Sequence, residues 1–299
     1  MSQIFDAIHR TEANRHTGDL SQVNGALELL EAAERQRRSA QTEHNAQRAL
    51  EREAFSRLPF TTVRLSPRAM LACITDPECP ATEKFRYVGV RLRHLQQKRH
   101  IKWLLITSSQ PGEGKSTVAA NLAATLAAGG QQKVLLLDGD LRNPALARLF
   151  GLDGLPGLTE WLKGQISPAM SVCRLGNLGF WLLPAGGVTE EPLALLQSDR
   201  LSDLIDRLGP WFDWIIVDSP PVLPLGDTSV WMRCSDAILL VTRPGQTERR
   251  QLQLALEALE QPKVIGALVN GSVEATSRSY YHYYQGRKAQ VSQGPDQSL

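Results

Sequence analysis

The chain has 299 residues, 42% of them hydrophobic, and a net charge of +2. That suffices for a full α/β core and, with charge so near neutral, gives no footing for nucleic acid. No apolar run approaches the ~20 residues that cross a bilayer. Met1–Ile8 lacks the basic and long apolar regions of a signal peptide, and the four cysteines show no Cys-x-x-Cys spacing, so reduced thiols in a cytoplasmic protein are expected.

Residues 1–57 are charged and helix-forming, with a short apolar stripe at Ile4, Phe5 and Ile8. They read as a helical N-terminal extension, either folded on the surface or docking on a partner by a helix-in-groove contact. Pro59, Pro67, Pro77 and Pro80 interrupt residues 58–81, which predicts a linker. A helix is predicted over 82–97, opening a main domain that extends to 272.

The apolar run Trp103–Ile106 predicts a strand over 102–107. Ser108-Ser109-Gln110-Pro111-Gly112-Glu113-Gly114-Lys115-Ser116-Thr117 follows, and then an Ala/Leu-rich helix over 115–128. Strand, glycine loop and helix are the context of a phosphate-binding P-loop, although Ser109 stands where the strict pattern has glycine. Pro111, Gly112, Glu113, Gly114, Lys115, Ser116 and Thr117 are the expected nucleotide-binding residues. Backbone N–H groups and the helix N-terminus would face the phosphates. Lys115, taken as an exposed loop cation, would reach the β- and γ-phosphates, and Ser116 would offer its hydroxyl to Mg²⁺.

A strand over 134–138 ends in Asp138-Gly139-Asp140. A Gly-rich loop from Gly151 to Gly164 carries a short helix near Trp161. A strand over 179–183, a helix over 192–208 and a strand over 214–218 ending in Asp218 come next. Strands over 237–242 and 264–269 flank a helix over 249–260. Alternation of this kind predicts a doubly wound, mostly parallel α/β sheet of the P-loop NTPase type. Asp138, Asp140 and Asp218 would share the P-loop rim. Asp218 suits a Mg²⁺ ligand. Asp138 and Asp140 suit a metal or a proton-accepting role; one such aspartate could merely cap its own turn, but three beyond strand ends in a chain with a P-loop point to a site.

Residues 273–299 read as a polar, flexible tail. Tyr280, Tyr281, Tyr283 and Tyr284 fall within five residues, and the one other tyrosine is Tyr87. Clustered phenolic hydroxyls are phosphoryl acceptors; clustered aromatic rings are also interface anchors. Chemistry alone leaves both open.

With these residues in place the chain resembles the bacterial tyrosine autokinases (BY-kinases) of capsular and exopolysaccharide biosynthesis, in their stand-alone cytoplasmic form. The resemblance rests on the P-loop, LLLDGDLRNP at 135–144, IIVDSPPV at 215–222, LLPAG at 182–186, the run at 236–247, GALVN at 266–270 and the tyrosine cluster. It covers roughly residues 75–285 in the family's order.

The resemblance implies that Mg²⁺ and ATP bind at Lys115, Ser116, Asp140 and Asp218. Asp138 and Asp140 would divide hydroxyl activation and metal placement. The tail tyrosines would accept phosphate, and Asn270 would contact adenine, its other reading being a strand-end turn residue. Glu83 and Arg86 fit the family's Glu-x-x-Arg-x-x-Arg assembly helix, but Gly89 holds the third charged place; Arg91 or Arg93 could substitute. A homo-oligomer is implied. So is a separate transmembrane polysaccharide chain-length regulator that activates the protein and brings it to the membrane.

Two other readings share the P-loop. One is a positioning or partition ATPase, against which Gln110 stands where those proteins carry a signature lysine. The other is a nucleotide-binding scaffold of a polysaccharide export complex, against which the intact Lys115, Asp138, Asp140 and Asp218 argue.

Overall fold

Apolar runs that alternate with helical stretches bury themselves most completely as a parallel sheet covered by helices on both faces. The computed structural model shows that arrangement and describes residues 60–65, 69–223 and 226–271, with Ala32, Ala33 and Arg35. The chain divides into two units, 1–58 and 59–299, and the second carries the sheet. The N-terminal extension, apart from those three residues, and the tyrosine cluster lie outside the described residues.

In chain order the elements are β1 (Phe60–Thr61), α1 (Ala72–Thr75), α2 (Pro80–Arg99), β2 (Trp103–Ser108), α3 (Lys115–Ala127) and β3 (Val134–Asp138). Then come α4 (Leu146–Leu149), α5 (Leu158–Leu162), α6 (Pro168–Ser171), β4 (Cys173–Leu175), β5 (Trp181–Leu183), α7 (Pro192–Leu196) and α8 (Asp199–Leu208). The last are β6 (Trp214–Asp218), α9 (Gly226–Cys234), β7 (Ala237–Thr242), α10 (Arg249–Ala258) and β8 (Val264–Val269). The sheet order is β1-β4-β5-β3-β6-β2-β7-β8, parallel except for the β4–β5 pair.

The central strands β2, β3, β6 and β7 are buried along their whole length. Val118, Leu122 and Leu126 of α3 pack in one core with Leu104, Ile106, Leu136 and Ile216. Each such side chain contributes about 1.5–3 kcal/mol by leaving water, which fixes the sheet that carries the site. All four cysteines are free thiols. Burial pushes the Cys173 thiol up to about 11. Among the described residues no helix is long and apolar enough to cross a membrane.

Two predicted segments differ from the structure. The single helix over 192–208 is two, because Ser198 takes extended backbone at the N-cap of α8 and its hydroxyl donates to the Leu195 carbonyl. The hydroxyl thus serves the end of α7 and makes no cap bond to α8, and the extended backbone at Ser198 separates the two helices. The proline-rich stretch expected as a linker joins the core: Ala69 and Leu71 are buried, and β1 pairs with β4. Asn121 of α3 clamps it, accepting from the Cys73 N–H (3.0 Å) and donating to the Met70 carbonyl (3.2 Å).

On α2 the Glu83–Arg86 ion pair has both side chains 52% exposed, so it stabilises the helix by only about 0.2–0.5 kcal/mol. Gly89 is buried instead. A Cβ there would lie 2.7 Å from Thr125 Cγ2 of α3, so a third charged residue has no room. Arg93 donates to the Thr125 carbonyl (2.9 Å), and Arg91 to the Tyr87 hydroxyl (3.1 Å). Arg93, one turn on from Gly89, therefore faces the same stretch of α3 that Gly89 packs against. Gly89→Arg is expected to destabilise the domain. Overpacking costs about 1–3 kcal/mol, and the gain in helix propensity returns less than about 1. A lower urea midpoint at unchanged slope is the expected reading.

Candidate active site

Strand β6 lies between β3 and β2. The loops after these three strands therefore leave the sheet side by side on its carboxyl rim, where ligands bind in folds of this class. Asp138 of β3 and Ile106 of β2 both stand in register with Asp218. The sequence-predicted P-loop, Asp138, Asp140 and Asp218 are thus brought together.

The glycine loop needs its glycines. Gly114 has φ +92°, and a Cβ there would collide with the Asn270 amide. It is also the N-cap of α3, whose first residue is Lys115. Thirteen residues of α3 aim the positive end of their dipole at this loop. Lys115 is only 8% exposed. It is a buried helix-opening cation rather than the exposed loop cation expected, and its charge acts on Asp218.

The aspartates differ in what they hold. Asp138 is fully buried. Its Oδ2 accepts from the Ala145 and Leu146 N–H groups (both 3.0 Å), and its Oδ1 from the Asp140 N–H (3.3 Å). The turn-capping reading of this residue is therefore real, and it coexists with a place on the rim. Asp140 is half-buried, and its Oδ1 accepts from the Arg142 and Asn143 N–H groups (3.2 and 2.9 Å). Asp218 is buried, and its Oδ1 has no hydrogen-bond partner among the described residues.

Burial raises the Asp138 carboxyl to about 8, with the Asp218 charge adding to it. Burial likewise raises Asp218 to about 7, against the pull of the Ser116 hydroxyl and of Lys115. The native state thus holds protons that the unfolded chain has released above the ordinary carboxylate range. The contribution is complete below about pH 4 and is lost as pH rises through 7 to 8. Stability of the ligand-free protein is expected to fall between pH 6 and about 8.5. Asp218→Asn should flatten that slope, as read from denaturant midpoints at the two pH values.

Sequence reasoning missed two groups. Arg142 grips the buried Asp227 with both nitrogens, Nε to Oδ2 at 2.7 Å and Nη2 to Oδ1 at 3.2 Å. This ties the loop after β3 to α9. Arg243, Gln246 and Thr247, between β7 and α10, touch the P-loop. Asn270 lies there too: its Nδ2 donates to the Glu113 carbonyl at 3.0 Å.

Fold and site together define a P-loop NTPase, and the family model described as NUBPL iron-transfer P-loop NTPase matches residues 99–277. Tyrosine-protein kinase YwqD of Bacillus subtilis is 35% identical over 213 residues, 71% of this chain and 89% of that one. Tyrosine-protein kinase CpsD of Streptococcus pneumoniae is 36% identical over 162 residues, 54% of this chain and 71% of that one. The kinase domain of Escherichia coli tyrosine kinase ETK superposes with a TM-score of 0.66 at 29% identity, covering 74% of this chain and 92% of that one. The chain belongs to the bacterial tyrosine kinase (BY-kinase) family.

Proposed function

We propose that the protein is an ATP-dependent tyrosine autokinase that controls exopolysaccharide or capsule synthesis. The observation that carries this reading is that Lys115, at the opening of a buried helix below a glycine loop, acts on Asp218, with Asp138 in register beside it. Its relatives are named as tyrosine-protein kinases.

Asp218 Oδ1 supports a cation at this place, since a buried acceptor left without a partner costs about 1–3 kcal/mol. Among the described residues no group of three or more His, Cys, Asp or Glu side chains is gathered for a metal. That suits Mg²⁺, which is held by one or two carboxylates together with the substrate's phosphates rather than by a protein cage. Ser116 and Asp218 would hold it, with Asp140 beside them. When bound, Mg²⁺ supplies charge stabilisation on the phosphate oxygens.

In this reading the N–H groups of the glycine loop receive the β- and γ-phosphates, and Lys115 offsets charge on the group in transfer. Asp138 and Asp140 divide the two remaining roles between them, one taking the proton of the incoming hydroxyl and the other helping to place the metal. The acceptors are Tyr280, Tyr281, Tyr283 and Tyr284. Tyr280 follows Asn270 by ten residues, a contour of at most about 36 Å, and Asn270 itself touches the P-loop. We place delivery in trans within a homo-oligomer, with Glu83 and Arg86 available for assembly. A separate transmembrane chain-length regulator activates the protein and holds it at the inner face of the membrane.

Purified protein given γ-labelled ATP and Mg²⁺ should carry label on phosphotyrosine, and a chelator should prevent it. Label on no residue, or on serine and threonine alone, would sink the reading.

A further inference from the structure

Resting on the reading of residues 108–117 as a nucleotide phosphate site, the geometry points to a second layer around the P-loop as the device that positions the nucleotide, with Glu113 as its anchoring residue. An anion-binding loop works only if its peptide N–H groups turn inward, so its carbonyls must turn outward. Three successive carbonyls of this loop are each met by a side-chain donor. The Pro111 carbonyl accepts from Gln246 Nε2 (3.0 Å), the Gly112 carbonyl from Arg243 Nη1 (3.2 Å), and the Glu113 carbonyl from Asn270 Nδ2 (3.0 Å). Two of these donors come from the loop between β7 and α10, and the third follows β8.

The Glu113 side chain closes the ring. It is fully buried and accepts from the Ser109 hydroxyl (3.0 Å), the Gln110 N–H (2.8 Å) and the Thr247 hydroxyl. Thr247 in turn accepts from the Arg243 N–H (2.8 Å). A buried carboxylate inside an anion-binding loop opposes the anion by its charge. Its presence is accounted for by the donors it gathers: it fastens the start of the P-loop to the β7–α10 loop, which then holds the carbonyls outward. Glu113, Thr247, Arg243 and Gln246 are positioning residues that act on phosphate through the backbone.

Two sets of variants test this in the full chain. Arg243→Ala with Gln246→Ala changes exposed side chains and spares the fold. Glu113→Ala removes the anchor, and Glu113→Gln keeps its shape. Binding of Mg·ADP by calorimetry, together with KM for ATP and kcat, is measured against wild type and Lys115→Met. The double variant and Glu113→Ala are expected to raise the ADP Kd and the ATP KM about 10–100-fold, as loss of a supporting shell does. At saturating ATP, kcat should stay within about threefold. Glu113→Gln should recover part of the loss, because the Ser109 and Thr247 hydroxyls accept as readily as they donate. A double variant with Kd and KM within about twofold of wild type overturns the inference, as does an equal loss in kcat with KM unchanged. The nucleotide reading fails separately: it fails if wild type itself binds no Mg·ADP, whereas wild-type binding lost in Lys115→Met and kept in the second-layer variants defeats this inference alone.

Discussion

Lys115→Met is expected to lower phosphate transfer by about 10²–10³-fold or more while leaving a folded protein. Lys115 is the first residue of α3 and is buried. Methionine keeps the unbranched stem, and volume-conserving changes of this kind usually cost under about 1.5 kcal/mol. What goes is the charge proposed to meet the γ-phosphate. Asp218→Asn should abolish transfer as well, by removing the carboxylate proposed to hold Mg²⁺, yet the two variants should separate in stability. Asn at 218 removes a carboxylate whose charged form burial disfavours, so the ligand-free variant is expected to be the more stable of the two above pH 7. Phosphate incorporation with labelled ATP and denaturant midpoints for both variants check this. Normal incorporation in both would remove the assigned site.

Replacing Tyr280, Tyr281, Tyr283 and Tyr284 together by Phe is expected to remove nearly all phosphotyrosine and to leave ATP binding unchanged. Phe keeps the ring and loses only the hydroxyl, so an acceptor role is separated from aromatic docking. Each phosphate adds about −1.5 to −2 charges near neutral pH. Several on one short segment repel one another and any acidic rim they approach, so the phosphorylated protein should be less associated than the unphosphorylated one. Peptide mapping by mass spectrometry and light scattering measure the two effects. Phosphate found mainly on Tyr87 would overturn the acceptor assignment, and an unchanged particle mass after full phosphorylation would overturn the link to assembly.

The P-loop and the three aspartates were legible because their signals are local: a strand, a fixed spacing of glycines, and an acid at a strand end. The four central strands were legible because burial on both faces demands unbroken apolar runs. What the sequence hid depends on contacts distant in the chain. β1 is two residues long and carries no pattern of its own; it is a strand because β4 lies beside it. Pro67 and Pro77 suggested a linker, yet Leu71 is buried because Asn121, fifty residues on, holds its neighbours. Gly89 looked like a gap in a charged motif, and Thr125 supplies the reason for it. The second layer on the P-loop joins residues more than 130 positions apart, a separation that no motif spans.

The central claim is that the γ-phosphate of ATP ends on the protein's own tyrosines. Intact mass after incubation with Mg·ATP, with and without the cytosolic segment of a co-encoded membrane protein, tests it most directly. A stepwise gain of phosphates is expected, slow alone and faster with the segment, steeper with rising protein concentration, and lost in Lys115→Met. Conversion of ATP to ADP with the protein mass unchanged under both conditions would contradict it and leave an ATPase in its place.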